Sequence, residues 1–230
     1  MKLQRVPEAF ITVWDLPVRV FHWLLVLCVA GAYVSAESER VRLLHATLGY
    51  TASGLVAFRL LWGFLGTPYA RFSSFVRGPR AVLRYLRSLP SGRPEHHTGH
   101  NPAGAVAILG LLALATLTGA TGWAAYNDLG GEALKEVHEV VANALLGLAG
   151  VHVLGAVLGS WIHRENLVAA MITGRKSGRP DADLRRTHTP LAVLLLGAVL
   201  AFWAAQWHAA PTADAQAFIA DGGRLAHPAR

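Results

Sequence analysis

The stretch 138-HEVVANALLGLAGVH-152 places two histidines fourteen residues apart in a segment that is otherwise almost wholly apolar. The apolar run continues to Ile162 without a charged residue, and about 20 apolar residues suffice for a helix to span a bilayer. Fourteen residues make almost four helical turns, so both imidazoles lie on one side of the helix, about 21 Å apart along its axis. Because a histidine inside a membrane helix is costly, the stretch predicts a spanning helix with two functional histidines at different depths.

The composition of the whole chain is also that of a membrane protein. Hydrophobic residues make up 53% of the 230 residues and charged residues only 15%, against roughly 25% charged residues in an average soluble protein. The mean hydropathy is +0.37. These values exclude an ordinary soluble domain and a disordered chain. The net charge of +7 comes from basic residues between apolar blocks, which favours basic membrane loops over a nucleic-acid-binding domain.

Apolar segments predict five membrane helices, over residues 18–36, 44–64, 103–125, 137–160 and 189–209. The first segment also resembles a cleavable signal peptide, but the polar stretch 14–17 before it and His22 within it do not suit a signal. Of the 21 lysines and arginines, 16 lie in or beside the first 19 residues and the connections after the second and fourth helices. The positive-inside rule therefore predicts a bacterial inner-membrane protein with a cytoplasmic N-terminus and a periplasmic C-terminus.

The expected fold is an all-α membrane protein, in which a four-helix transmembrane bundle is followed by a fifth C-terminal transmembrane helix. Residues 1–176 would form the four-helix domain and residues 177–188 a cytoplasmic linker. The fifth helix would occupy residues 189–209, and residues 210–230 would form an external polar tail.

Two more histidines match the first two in depth. His22 lies near the cytoplasmic end of the first helix and is level with His152, and His45 opens the second helix and is level with His138. Two imidazoles that face each other across a gap can bind one haem iron from both sides. The chain has one cysteine and no C-x-x-C-H motif, so the haem would be held non-covalently. The four histidines therefore predict the axial ligands of two haem b groups, one above the other across the membrane.

Two arginines lie where they could bind the propionates of the inner haem. Arg59 follows His45 by fourteen residues, on the same face of the second helix but at cytoplasmic depth. Arg19 begins the first helix, three residues before His22. Guanidinium groups bind carboxylates through paired hydrogen bonds, so both are candidate cofactor-binding residues, with an interface anchor as the alternative role for Arg59.

The remaining histidines give weaker signals. His96, His97 and His100 have no acidic or cysteine partner at the spacing of a metal site. We interpret them as part of a solvated loop, with a metal cluster as the alternative. His163 falls past the apolar run and is interpreted as an interface residue.

Several motifs, in order, resemble the bacterial cytochrome b561 and nickel-iron hydrogenase cytochrome b family. They cover about residues 12–176 and are Val13-Trp14-Asp15-Leu16-Pro17-Val18-Arg19-Val20-Phe21-His22-Trp23, Leu44-His45 with Gly49, Phe58-Arg59-Leu60-Leu61-Trp62-Gly63, Ala70-Arg71-Phe72-Ser73-Ser74-Phe75, Gly99-His100-Asn101-Pro102, His138-Glu139, His163-Arg164-Glu165-Asn166-Leu167 and Ile172-Thr173-Gly174-Arg175-Lys176. The resemblance implies a four-helix bundle with two b-type haems, whose ligands fall on His22, His45, His138 and His152. Members of the family relay electrons between the membrane quinone pool and a redox partner.

The function expected from the sequence is electron relay by a dihaem b-type cytochrome of a respiratory chain. The expected partners are the lipid bilayer, a quinone and an external c-type cytochrome or hydrogenase-like protein, with homodimer formation left open and no nucleic acid. The chain would be an electron-transfer subunit, and quinone-linked oxidoreductase activity is also left open. Two alternatives are a haem-free transporter that uses the histidines as proton relays and a structural anchor for a redox complex.

Overall fold

The computed structural model describes residues 9–36, 41–91 and 95–209, and within these ranges it is mostly helical. In chain order the helices are α1 (Leu16–Ser35), α2 (Arg42–Leu65), α3 (Phe72–Phe75), α4 (Pro79–Ser88), α5 (Pro102–Tyr126), α6 (Gly131–His163), α7 (Leu167–Thr173) and α8 (Thr189–Ala209). Of these, α1, α2, α5, α6 and α8 are long and apolar enough to cross a membrane. The predicted all-α membrane fold with a fifth spanning helix is confirmed. The predicted tail, residues 210–230, lies outside the described residues.

Helix α6 is longer than the sequence predicts, because it continues beyond the apolar run at both ends. Its first turns are polar, and Lys135 donates a hydrogen bond to Glu132 at 2.8 Å. At the other end, Arg164 adopts a left-handed conformation with φ of 51° and closes the helix. The apolar run of the sequence therefore marks only the central part of this helix.

Local sequence signals fix where two of the spanning helices begin. Asp15 accepts a hydrogen bond from the backbone nitrogen of Val18 at 2.8 Å and caps α1. Asn101 accepts one from the backbone nitrogen of Gly104 at 2.7 Å and caps α5. A proline in the first turn follows each cap, as is typical of helix starts.

The spanning helices pack in the order α1, α2, α5 and α6, and α8 lies against α1 and α2. Helix α6 packs extensively on α5, but in the described ranges it makes at most weak contact with α1 and α2. We call the space between α6 and the pair α1–α2 the central gap. The buried core contains Phe21, Cys28, Leu48, Leu55, Val56, Leu112, Ala115, Leu145 and Val199.

A small sheet that the sequence did not predict closes one end of the bundle. Strand β1 (Ala9–Thr12) pairs antiparallel with β2 (Arg175–Gly178), with Ala9 opposite Gly178 and Thr12 opposite Arg175. Each strand has only four residues, which is too short for a clear alternating pattern. We call this end, where α1 begins and α6 ends, the basic end, and the opposite end the far end.

The fifth helix is fixed to the bundle by specific contacts. The Trp203 indole donates a hydrogen bond to the Thr51 hydroxyl at 2.9 Å, and Val199 is buried in the core. The segment before α8 also packs on the bundle, since the backbone nitrogen of Leu16 donates to the carbonyl of Thr187 at 3.1 Å. The chain before α8 is therefore held against the start of α1.

Candidate haem-binding site

At the far end, His45 of α2 and His138 of α6 face each other across the central gap. Their ring centroids lie 6.3 Å apart, with the ring planes at 87°. The Nδ1 atom of His45 lies 2.8 Å from the carbonyl oxygen of Ala32, and that of His138 lies 3.1 Å from the carbonyl oxygen of Thr118. A carbonyl oxygen only accepts hydrogen bonds, so each Nδ1 carries the proton and each Nε2 keeps a free lone pair.

At the basic end, His22 of α1 and His152 of α6 form a second facing pair. Their ring centroids lie 6.5 Å apart, with the ring planes at 56°. The Nδ1 atom of His22 is buried and has no hydrogen-bond partner among the residues that the structure describes. The structure therefore brings the four predicted histidines together in the two combinations that their depths suggest.

The separation of the rings fits two nitrogens on opposite sides of one metal ion. An imidazole nitrogen binds a transition metal at about 2.0–2.1 Å and each ring centre lies about 1.2 Å further back, so the centroids of an axial pair lie about 6.4 Å apart. The observed distances are 6.5 and 6.3 Å. Together with the free Nε2 lone pairs of the far-end pair, this spacing gives a donor set that suits haem iron.

An apolar layer separates the two pairs of histidines. Leu145 lies midway between His138 and His152 along α6, on the same face, and is 7% exposed. It joins the core cluster that also contains Leu55 of α2 and Cys28 of α1. The two pairs therefore lie on opposite sides of this apolar layer, and we call the part of the gap around each pair its chamber.

A glycine on α5 shapes the far-end chamber. A Cβ atom on Gly122 would lie 2.8 Å from Cε1 of His138, which is closer than carbon atoms normally approach. The side chain of Thr121, one residue earlier, lies 3.2 Å from Nδ1 of the same ring. Helix α5 thus fixes the His138 ring through a hydrogen bond and through a missing side chain.

The two predicted arginines present buried nitrogens without partners at the basic end. Arg59 is 3% exposed, and its guanidinium carbon lies 5.0 Å from the centroid of Phe72. Within the described ranges its Nη1 atom has no hydrogen-bond partner. Arg19 donates to the carbonyl oxygen of Ile172, while its Nε atom is buried and unpartnered. Unpaired buried donors are costly, so this chamber suits an anionic group such as a haem propionate.

A buried carboxylate, Asp15, lies at the basic end but does not form an ion pair with Arg59 in the described ranges. Asp15 is 1% exposed and accepts hydrogen bonds from the Trp62 indole at 3.1 Å and the Thr67 hydroxyl at 2.6 Å. Its oxygens therefore already have partners. Asp15 was not predicted as a functional residue, although a cap residue before a membrane helix is a usable signal.

His100 was also missed as a functional residue. Its ring centroid lies 4.4 Å from that of Trp14 and 4.5 Å from that of Phe75, and its Nδ1 atom is buried without a partner. Burial, together with the positive charges of Arg59 and Lys176, lowers the pKa of His100 to about 3. His100 is therefore only partly exposed and differs from the expected solvated loop, because the aromatic residues that pack on its ring come from distant parts of the chain.

A buried ion pair next to this region was not predicted either. The Lys176 ammonium lies 3.1 Å from Oε2 of Glu165, and their side chains are 4% and 14% exposed. His163, expected to be an interface residue, has its Nε2 atom 3.2 Å from the Tyr85 hydroxyl. The basic end therefore contains a connected group of titratable side chains beside the inner histidine pair.

Comparison with known proteins places this geometry in a family. The family model of the prokaryotic cytochrome b561 matches residues 13–174. The chain belongs to this family. The resemblance inferred from the motifs is confirmed, and the protein is a multi-pass membrane cytochrome of the b type, which carries haem b. A haem-free transporter does not fit this family.

Curated proteins that are similar to this chain are named as cytochrome subunits. It is 29% identical over 142 residues to the "Probable Ni/Fe-hydrogenase 1 B-type cytochrome subunit" of Escherichia coli K12, covering 50% of this chain and 60% of that protein. It is 25% identical over 217 residues to the "Probable Ni/Fe-hydrogenase B-type cytochrome subunit" of Rhodobacter capsulatus, covering 74% of this chain and 82% of that protein. The match therefore spans less than two thirds of the E. coli relative. No solved structure gives a significant match.

Proposed function

We propose that this cytochrome holds two haem b groups and relays electrons across the membrane. His45 and His138 would bind the haem at the far end, and His22 and His152 the haem at the basic end. The observation that carries the proposal is the pair of centroid distances, 6.3 and 6.5 Å, at two levels of one helix. Held by these histidines, each haem would supply one-electron transfer.

The chain's own residues would orient and tune the two groups. Ala32 and Thr118 accept the Nδ1 protons of the far-end histidines, which fixes their rings and increases the basicity of the ligating nitrogens. Arg19 and Arg59 would bind the propionates of the basic-end haem, where their buried nitrogens lack other partners. The positive charge of a buried arginine stabilises the reduced state of a nearby haem. Arg59 would therefore raise the reduction potential of the basic-end haem.

The orientation that we propose follows the distribution of charge. The connections at the basic end carry most of the lysines and arginines, so this end would face the cytoplasm of a bacterial inner membrane. The N-terminus would then be cytoplasmic and the C-terminus periplasmic. Residues 177–188 would form the cytoplasmic connection to the fifth helix.

The proposed partners are a quinone at the basic end and an external redox protein at the far end. Beside the inner histidine pair, the buried Nδ1 atom of His100, which has no partner among the described residues, suits a quinone oxygen. The relatives named as hydrogenase cytochrome subunits favour a hydrogenase as the external partner, and a c-type cytochrome is the second candidate. Homodimer formation stays a prediction.

The decisive experiment counts the haem groups in the purified full-length protein. A pyridine haemochrome assay is expected to give two non-covalent haems per chain, and the reduced-minus-oxidised spectrum is expected to show sharp low-spin bands. A single haem per chain would contradict the two-pair assignment. If the protein were only a structural anchor, His22→Ala would leave electron transfer to the partner unchanged.

A further inference from the structure

The basic end contains a chain of titratable groups that haem ligation does not use. Lys176 of β2 and Glu165, just after α6, form the buried ion pair described above, with 3.1 Å between Nζ and Oε2. The Nζ atom of Lys176 also donates to the carbonyl oxygen of His97 at 3.3 Å. Burying two charges costs more than a surface pair, so this pair is an unusual feature to find next to a redox site.

One oxygen of the Glu165 carboxylate is not engaged by Lys176. Its Oε1 atom is buried and has no hydrogen-bond partner among the described residues, while Oε2 lies beside Lys176. Buried carboxylate oxygens are strongly stabilised by a hydrogen-bond donor. Glu165 therefore has one oxygen whose need for a donor is not met by the residues that the structure describes.

Glu165 lies close to the surface of the protein. It lines a cleft of about 500 Å³ that is open to the outside, whose other walls are Val157, Ser160, Trp161, Arg164, Asn166 and Val168. The Nε2 atom of His96 lies 3.9 Å from Oε2 of Glu165, and the His96 side chain is 53% exposed. The cleft therefore gives water access to Glu165, and an exposed imidazole lies near the carboxylate.

On the inner side, the ion pair faces the redox site. Lys176 is close enough to His100 for its charge to act on that ring, and the buried Nδ1 of His100 is unpartnered. Lys176 and His96 lie next to the Glu165 carboxylate, and Arg164 precedes it in the chain. His163, at the end of α6, is affected by the charge of Glu165 and lies near the Tyr85 hydroxyl of α4. Glu95 and His97 before α5, and Arg77 before α4, complete the group of titratable and charged side chains.

We propose that Glu165, paired with Lys176, is the residue that exchanges protons between cytoplasmic water and the quinone at the basic end. The proposal rests on the proposed quinone-linked function. Oxidation of one quinol to quinone releases two electrons, which pass one at a time into the cytochrome, and two protons from its hydroxyl groups. Those protons leave through Glu165 and His96 to water, and the same groups supply them when a quinone is reduced.

The test uses the haem-loaded full-length protein and a short-chain ubiquinol. Glu165→Gln is expected to slow reduction of the cytochrome by this quinol by about 100-fold, at the lower end of the range for acid–base groups, and Glu165→Asp is expected to restore most of the rate. Reduction by dithionite, which needs no quinol proton, should not change. The control is Asp181→Asn, which removes a carboxylate from the exposed ion pair with Arg179.

A spectroscopic readout and a second variant keep the test independent of folding. The infrared difference spectrum between quinol-reduced and oxidised protein should contain a protonated-carboxyl band that Glu165→Gln removes and Asp181→Asn retains. His96→Asn changes an exposed side chain and should slow the quinol reaction several-fold. Wild-type rates in both variants, or an unchanged infrared band, would overturn the role of Glu165. A wild-type protein that quinol cannot reduce would overturn the quinone-linked function itself.

Discussion

The Nδ1 atom of His45 lies 2.8 Å from the carbonyl oxygen of Ala32, so helix α1 orients a ring that helix α2 carries. The carbonyl can accept this bond only if Nδ1 carries the proton, which leaves Nε2 directed to bind a metal. The facing His138 has the same arrangement with Thr118 of α5. Two hydrogen bonds between neighbouring helices thus orient the far-end pair.

Removing one histidine from each pair should separate the two haem sites. His45→Ala is expected to lose or perturb mainly the far-end haem and His152→Ala mainly the basic-end haem, because each variant leaves the other pair intact. Haem content by pyridine haemochrome and a redox titration of each variant would measure this. The matched control is His208→Ala, an exposed histidine at the end of α8, which should keep both haems. Loss of the same haem in both ligand variants would contradict the assignment.

A small substitution on α5 should disturb the far-end site without touching a ligand. Gly122→Ala places a Cβ 2.8 Å from Cε1 of His138, so the ring must move away from its hydrogen-bond partners. The far-end haem is expected to show a shifted reduction potential or partial loss, while the basic-end haem is unchanged. Gly150→Ala on α6 is the control, since a Cβ there meets no atom within 4 Å. Identical redox titrations for the two variants would show that the ring tolerates the contact.

Breaking the buried ion pair should destabilise the protein more than breaking an exposed one. Lys176→Met leaves the largely buried Glu165 carboxylate without its partner, which should cost about 1–3 kcal/mol, less than for a fully buried pair because the carboxylate lines an open cleft. The double variant Lys176→Met with Glu165→Gln should recover much of that loss, because no uncompensated charge remains. Thermal unfolding of the purified protein, followed by circular dichroism, would measure both.

The exposed pair on α6 provides the comparison. Lys135 and Glu132 lie 2.8 Å apart, but their side chains are 52% and 82% exposed. Lys135→Met should therefore change the stability by no more than about 1 kcal/mol. Equal losses in the Lys135 and Lys176 variants would mean that the buried pair contributes no more than a surface pair.

His100 should make the free energy of unfolding depend on pH under acidic conditions. Burial holds the pKa of His100 at about 3 in the folded state, against 6.5 for the ordinary side chain. Below pH 6.5 the unfolded chain therefore binds a proton that the folded protein does not, and stability falls until the pH reaches about 3. His100→Gln should reduce this dependence of the unfolding midpoint between pH 6.5 and 4. The control His208→Gln should keep the wild-type dependence, and an unchanged slope in His100→Gln would contradict the burial of a neutral ring.

The sequence alone determined the class of the protein and the register of its histidines. Five apolar segments correctly predicted five helices long enough to span a membrane. The length of an apolar segment is a local property of the sequence, and it only has to match the thickness of the bilayer. The fourteen-residue interval between His138 and His152 fixed their shared face and their depths, because the rise and pitch of a helix are constant. The order of the motifs was sufficient to predict the family, and the family model that matches residues 13–174 confirms it.

Only the tertiary structure decided which side chains meet at the basic end. His100 lies between Trp14 and Phe75, and Lys176 lies beside Glu165; none of these contacts follows a helical period. They depend on how β1, β2 and the connections between helices fold over the end of the bundle. These segments have no periodic pattern of apolar residues from which their contacts could be predicted. Contacts between residues distant in the chain arise from packing of the whole molecule, so their burial and partners could not be predicted from any single segment.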